Sequence, residues 1–239
     1  MHTFFLENIP EAGACAELSK REQDHLYKIL RCRVGEKLKL CDGRGAVALA
    51  EAEADRSVKI LEKELFERDR VQLHIFAALP KNAKLDALLK PVTEAGAASI
   101  TPLKCRYSVA EKNDIPERWY TLLEEACKQS GNPFLPELRP TMSVAEAVEF
   151  CRKNSCRIFY GAQHGKCLTP DALPAAGALE LAWFVGPEGG FDEQEIALLN
   201  DAGCGISVGR YIFRLENAAI AGAAYLLTAA RAAEEKNEA

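Results

Sequence analysis

Apolar and charged positions alternate between Glu36 and Ala48: Lys37-Leu38-Lys39-Leu40 runs into Asp42-Gly43-Arg44-Gly45, and Val47 and Leu49 follow. A period of two interrupted by Asp-Gly predicts a β-hairpin, because strand side chains alternate faces and glycine supplies the turn. Val58 to Leu61 predicts a further strand. Upstream, Leu26, Ile29 and Leu30 fall at helical spacing between Ser19 and Arg31, and Ser19 with Glu22 makes a capping-box pattern. Residues 1–70 therefore read as a small, mainly β domain, with the charged stretch Glu62 to Arg70 as a linker.

The pattern changes at Val71, where Gln72 to Leu79 is nearly all apolar and reads as a buried strand closed by Pro80. Leu85, Leu88, Leu89 and Val92 predict a helix from Leu85 to Ala95 that Pro91 should kink or shorten. Ser99 to Leu103 is a short strand. Trp119, Leu122, Leu123 and Ala126 share one face of a helix from Glu117 to Gln129, with Gly131 placed to end it. Arg157 to Gly161, Leu179 to Val185 and Ile206 to Val208 are further strands, and a long helix begins near Glu216. Strands alternating with helices predict an α/β domain over residues 71–239 with a largely parallel sheet. In such sheets the loops at strand carboxyl ends carry function.

Composition narrows the classes. Hydrophobic residues make up 48% and charged residues 27%, which is globular rather than disordered. The nine cysteines are scattered, with no C-x-x-C pair; Cys151 and Cys156 are the closest. With no hydrophobic signal segment after Met1, they read as reduced thiols of a cytoplasmic protein. The longest apolar run, Ala218 to Ala230, is too short to cross a bilayer. A net charge of -5 argues against indiscriminate nucleic-acid binding. Leu18 to Gly45 nevertheless holds eight basic and four acidic residues, which is either a basic face or ordinary surface scatter.

Two segments could carry chemistry. Val185 runs into Gly186-Pro187-Glu188-Gly189-Gly190-Phe191, and Asp192 with Glu195 makes a second capping box. Glycines at a strand end either let a ligand approach the backbone or merely make a tight turn. Glu188 disfavours a phosphate there and suits a cationic or hydroxyl-bearing ligand, or is itself a solvated or capping residue. The second segment, Val208 to Ala218, puts Arg214 and Glu216 at a helix start, either as cap and surface charge or as anion binder beside a base. Gly43-Arg44-Gly45-Ala46-Val47-Ala48 formally matches a dinucleotide fingerprint but lacks the β-α-β unit around it. His2, His25, His74 and His164 are scattered, His164 with Cys167 is only a lone pair, and no metal is expected.

Together these elements resemble the ribosomal RNA small-subunit methyltransferase E family, the 16S rRNA uracil-N3 methyltransferases of the SPOUT superfamily. The resemblance runs through Phe4-Phe5, His25 to Arg31 with Val34-Gly35, Thr93 to Gly96 with Ile100 to Leu103, Arg106 with Ser108-Val109, and Glu125 to Gly131. Its specific pieces are Gly186 to Phe191 and Gly209 to Ala218. It implies a PUA-like N-terminal β-barrel for RNA, a C-terminal α/β domain with a trefoil knot, S-adenosylmethionine as cofactor, and a homodimer acting on 16S rRNA or the small ribosomal subunit. Carried over by position, the cofactor would meet Gly161, Val185, Gly186, Glu188, Gly189, Gly190, Val208, Gly209, Ile212, Phe213 and Leu215. RNA would meet Lys28, Arg31 and Arg106.

The chain departs from the family in having Thr3, Pro91, Asn132 and Tyr211 at usual Arg or Lys positions, and Leu215 and Asn217 at usual threonines. Neighbouring Lys90, Lys128 and Arg210 are candidates to compensate. In the implied reaction, N3 of uracil must lose a proton before it attacks, and negative charge then spreads to O2 and O4. Arg214 would stabilise that charge and Glu216 would act as base or positioning group. A helix start favours a charged carboxylate, which suits Glu216 better to positioning.

Overall fold

The computed structural model describes residues 1–79, 85–108, 115–166 and 179–238; Pro80, Val109 and Cys167 lie outside them. The chain divides into two compact units, Met1–Arg68 with Leu123–Leu135, and Asp69–Leu122 with Pro136–Ala239. The first unit thus includes a segment well beyond the 1–70 span expected from the pattern.

In the first unit, β1 (Thr3–Phe5), β2 (Cys15–Ala16), β3 (Lys37–Cys41), β4 (Ala46–Ala52) and β5 (Val58–Leu65) form one sheet in the order β1-β3-β4-β5-β2. Only β1 and β3 are parallel. The hairpin between β3 and β4 closes where Asp42 Oδ1 accepts from the N–H groups of Arg44 (2.7 Å) and Ala46 (2.9 Å). β5 runs to Leu65, so the first four residues of the expected linker, Glu62 to Leu65, are strand. Phe4, Leu26, Leu38, Leu40, Ala50 and Ile60 fill the core.

The expected helix from Ser19 splits into α1 (Lys20–Asp24) and a π-helical turn, His25–Ile29, in which the Leu30 N–H donates to the His25 carbonyl at 3.0 Å. The wider turn rotates Ile29 outward to 71% exposure while Leu26 stays buried. Ser19 Oγ does accept from the Glu22 N–H at 3.3 Å. The second half of the capping box is absent, because the buried Glu22 carboxylate instead accepts from Phe5 N–H (3.3 Å) and Lys128 Nζ (2.8 Å). Past Lys128 the chain meets the hairpin turn: Gly45 N–H donates to Pro133 O (3.0 Å), and Leu135 N–H donates to Gly43 O (2.8 Å).

The second unit is built on a parallel sheet of β6 (Val71–Ala78), β7 (Ser99–Lys104), β8 (Glu137–Leu138), β9 (Met142–Ser143), β10 (Arg157–Lys166), β11 (Leu179–Val185) and β12 (Gly203–Ile206). The order is β12-β10-β11-β6-β7-β8, and β9 also pairs with β7. β6 and β11 are buried along most of their length, with Phe76 and Phe184 stacked at 4.5 Å. The helices are α2 (Asp86–Glu94), α3 (Glu117–Ser130, whose last eight residues belong to the first unit), α4 (Val144–Lys153), α5 (Glu193–Ala202) and α6 (Leu215–Glu238).

Pro91 does not shorten α2: Leu88, Leu89 and Val92 pack on through it, and Ala95 N–H donates to Pro91 O at 3.0 Å. β12 lies earlier than the expected Ile206 to Val208. Its pairing with β10 sets Gly203 against Ile158 and Gly205 against Tyr160, where a Cβ would come within 2.5 and 2.8 Å. Close backbone approach, which apolar periodicity does not signal, decides that strand. α4 starts with a complete capping box formed by Ser143 and Glu146.

Candidate functional site

Because the sheet of the second unit is parallel, all its strands end on one edge. The register sets Gly161, midway along β10, beside Ile206 and Tyr160 beside Phe184, so β10 passes the carboxyl ends of β12 and β11 at Gly161. Gly161, the Val185 to Gly190 loop, and the segment from Val208 to Leu215 therefore gather at that edge. The chain from β7 into Cys105 and Arg106 leaves the same edge two strands further on.

The glycine loop is held from both sides. Gly190 N–H donates to Pro187 O at 2.8 Å, and Gly190 has φ +76, a conformation other residues adopt only under strain. A turn alone explains that glycine. It does not explain Gly189, which lacks positive φ and whose Cβ would only reach ordinary contact with Tyr107 at 3.5 Å. Asp192 caps α5, accepting from Glu195 N–H at 2.8 Å, while Glu195 returns the contact to Asp192 N–H at 2.9 Å. The other Glu195 oxygen accepts from Arg106 N–H at 2.8 Å, tying the β7 exit to the loop. The Arg106 side chain is left exposed. Tyr107 and the Glu195 tie were missed in the sequence; nothing local signals a contact spanning 89 positions.

The start of α6 is anchored beneath. The indole N–H of the fully buried Trp183 donates to Ala218 O at 3.1 Å. Gly222, one turn on, lies so close to that indole that a Cβ would sit 2.1 Å from it. Leu215 is buried at 4% exposure and Glu216 is partly buried, whereas Arg214 is exposed. Before them Tyr211 (76%), Ile212 (77%) and Phe213 (41%) form an exposed apolar run, with the Arg210 guanidinium 5.8 Å from the Tyr211 ring. Gly209 packs near Phe213, and Ser207 Oγ donates to Gly209 O at 2.9 Å.

The buried thiols do not offer a nucleophile. Burial pushes Cys105 up to about 12, and does the same to Cys41 and Cys127. In the first unit, Lys28 pairs with Asp24 at 2.8 Å yet remains 67% exposed, and Arg31 is exposed with φ 55. Lys128, a candidate to compensate for missing cations, is 13% exposed and bound to Glu22. No helix among the described residues is long and apolar enough to cross a membrane.

Residues 67–227 match the family described as RNA methyltransferase domain, and residues 18–60 match the RNA methyltransferase PUA domain. A Mycobacterium bovis protein named Ribosomal RNA small subunit methyltransferase E is 28% identical over 230 residues, covering 90% of this chain and 87% of the relative. The Bacillus subtilis protein of that name is 26% identical over 240 residues, covering 91% and 93%. Among solved structures, a putative methyltransferase from Legionella pneumophila in complex with the cofactor SAM superposes with a TM-score of 0.81 at 25% identity, covering 95% of this chain and 97% of that one. The Neisseria gonorrhoeae Ribosomal RNA small subunit methyltransferase E, bound to S-adenosyl methionine, gives 0.84 at 22% identity over the same shares and speaks for the fold.

Proposed function

The chain belongs to the RNA methyltransferase family, and on that premise we propose that it transfers a methyl group from S-adenosylmethionine to N3 of a uracil in 16S rRNA. The observation that carries this reading is the convergence of Gly161, Gly186 to Gly190 and Val208 to Leu215 on one sheet edge, inside the matched residues. Relatives across nearly the whole chain are named for small-subunit rRNA methylation.

The residues present fit the cofactor. Gly189 leaves room that neither its backbone conformation nor its neighbours require. The apolar run of Ile212 and Phe213 offers a face for adenine, and the exposed Glu188 suits hydroxyl or ammonium groups better than phosphates. When bound, S-adenosylmethionine supplies an electrophilic methyl group, so the protein's work is alignment and control of the N3 proton. Arg214, exposed just before α6, would stabilise charge on uracil O2 and O4. Glu216, in the first turn of α6 and two residues before the Ala218 carbonyl that Trp183 holds, orients the base. Lys28, Arg31 and Arg106 present exposed cations for RNA phosphates.

The same reading includes a homodimer, for which Tyr211 offers exposed apolar surface, a cytoplasmic location, and a trefoil knot.

Mass mapping of small-subunit rRNA from a strain lacking the gene tests the proposal. One N3-methyluridine should vanish, return with the wild-type gene, and stay absent with Arg214→Ala. A second reading, a related enzyme modifying another RNA or atom, draws on Thr3, Pro91, Asn132 and Tyr211 at cation positions and on the burial of Lys128. Loss of a different methylated nucleotide would decide for it, and calorimetry showing no S-adenosylmethionine binding would reject both.

A further inference from the structure

At the opposite, amino-terminal edge of the parallel sheet, three residues remote in sequence meet. His74 lies midway along β6, Glu180 early in β11, and Cys156 directly before β10. One ligand atom from each, an imidazole nitrogen, a thiol sulfur and a carboxylate oxygen, lies within 4.8 Å of the other two. His74 is 7% exposed; its Nε2 is 2.6 Å from Glu180 Oε2 and its Nδ1 is 2.7 Å from Ser99 Oγ. We propose that His74, Cys156 and Glu180 form a zinc site, with water as fourth ligand, that staples β6 to the amino ends of β10 and β11.

The donor set is the first argument. Neutral imidazole, thiolate and carboxylate together suit Zn2+, while calcium and magnesium take oxygen ligands. The outer shell is the second. Ser99 Oγ, fully buried, occupies Nδ1 and so holds the ring with Nε2 directed at Glu180, the arrangement that orients metal-ligating histidines. The third is how Cys156 is delivered. Ser155 has φ 55, its N–H donates to Arg152 O (3.2 Å), and Cys156 N–H donates to Cys151 O (2.8 Å). These two bonds are the Schellman ending of α4, and they fix where the chain turns back into β10.

The pair His74–Glu180 must open from 2.6 Å to the roughly 3.3 Å that separates two ligands on one tetrahedral ion, a side-chain adjustment only. Glu180 is 36% exposed, leaving a path for the ion and for the fourth ligand. Arg139 is the neighbouring cation; its Nε and Nη2 donate to Glu137 at 3.1 and 3.0 Å, which offsets its charge. The site lies away from the edge proposed for methyl transfer and does not depend on that reading.

Metal-free protein, prepared with a chelator and checked for folding by circular dichroism, is titrated with Zn2+ against a chromophoric chelator and with Co2+ as a spectroscopic probe. The wild type should bind one equivalent of each, Co2+ giving tetrahedral visible bands and a thiolate charge-transfer band in the near ultraviolet. Cys156→Ser, close to isosteric, should abolish the charge-transfer band, and Ser99→Ala should weaken binding about tenfold. Cys15→Ser, an exposed thiol of the first unit, should change neither. Absence of stoichiometric binding by folded wild type, or a charge-transfer band that survives in Cys156→Ser, overturns the proposal.

Discussion

Lys128 Nζ lies 2.8 Å from Glu22 Oε1, and both side chains are almost wholly buried, at 13% and 5% exposure. The other Glu22 oxygen accepts from the Phe5 N–H, so one carboxylate joins α1, β1 and the end of α3. Removing only the cation strands a charge in the interior. Lys128→Met should lower unfolding stability by about 3–5 kcal/mol, whereas Lys128→Met combined with Glu22→Leu should recover a large part of it. Urea denaturation of the two variants makes the comparison; equal stability loss in both would show that the pair does not act as a unit.

Gly189→Ala separates a turn from a ligand cradle. The position has neither positive φ nor a crowded Cβ site. Folding stability should therefore stay level or rise by about 0.4–1 kcal/mol, as for a permissible glycine replacement. S-adenosylmethionine affinity should fall at least about tenfold, roughly 1.4 kcal/mol, if the backbone meets the cofactor there. Unchanged affinity by calorimetry would remove Gly189 from the cofactor site.

Gly222→Ala should behave in the opposite way. A methyl group 2.1 Å from the Trp183 indole forces α6 off the sheet, an overpacking cost of about 1–3 kcal/mol. The same movement loosens the Ala218 anchor and displaces Glu216, so kcat should drop along with the melting temperature. A variant with wild-type kcat would disconnect the anchor from catalysis.

Glu146 gives a pH signature. Its carboxylate accepts from the Ser143 N–H at 2.7 Å and from the Ser143 hydroxyl, and these hydrogen bonds hold it below its ordinary value of 4.5. A depressed carboxylate contributes stability that is complete above the unfolded value and is lost as pH falls through the folded one. Glu146→Gln should thus lose its disadvantage relative to wild type in acid below about 4.5, while the difference persists at neutral pH. Melts of the two proteins across that range report it.

What the sequence revealed depended on how far apart the deciding contacts lie. The hairpin at Asp42 was legible because the turn chemistry sits between its own strands. The capping box of α5 was legible for the same reason. The π-helical turn was not, since one extra residue per turn leaves the apolar spacing of Leu26 and Leu30 looking helical. Nor was β12, where Gly203 and Gly205 are selected by Ile158 and Tyr160, some 45 positions earlier. For the candidate site, both glycine-bearing segments stood out as sequence, but Tyr107 against Gly189 and Arg106 bound to Glu195 emerge only once the sheet sets β7 and β11 on a common edge. His74 looked isolated because its partners come from other strands.

The return of Leu123–Leu135 to the first unit bears on how the protein can be cut and recombined. A gene fragment ending near Arg70 would encode every strand of the small sheet and still omit the backbone partners of Gly43 and Gly45, the ring of Phe134 under Arg68, and the counter-ion of Glu22. The RNA methyltransferase PUA segment here is therefore not a portable module. Swapping it between relatives demands exchange of both stretches, and a chimera made at the linker alone inherits an interior assembled from two different proteins.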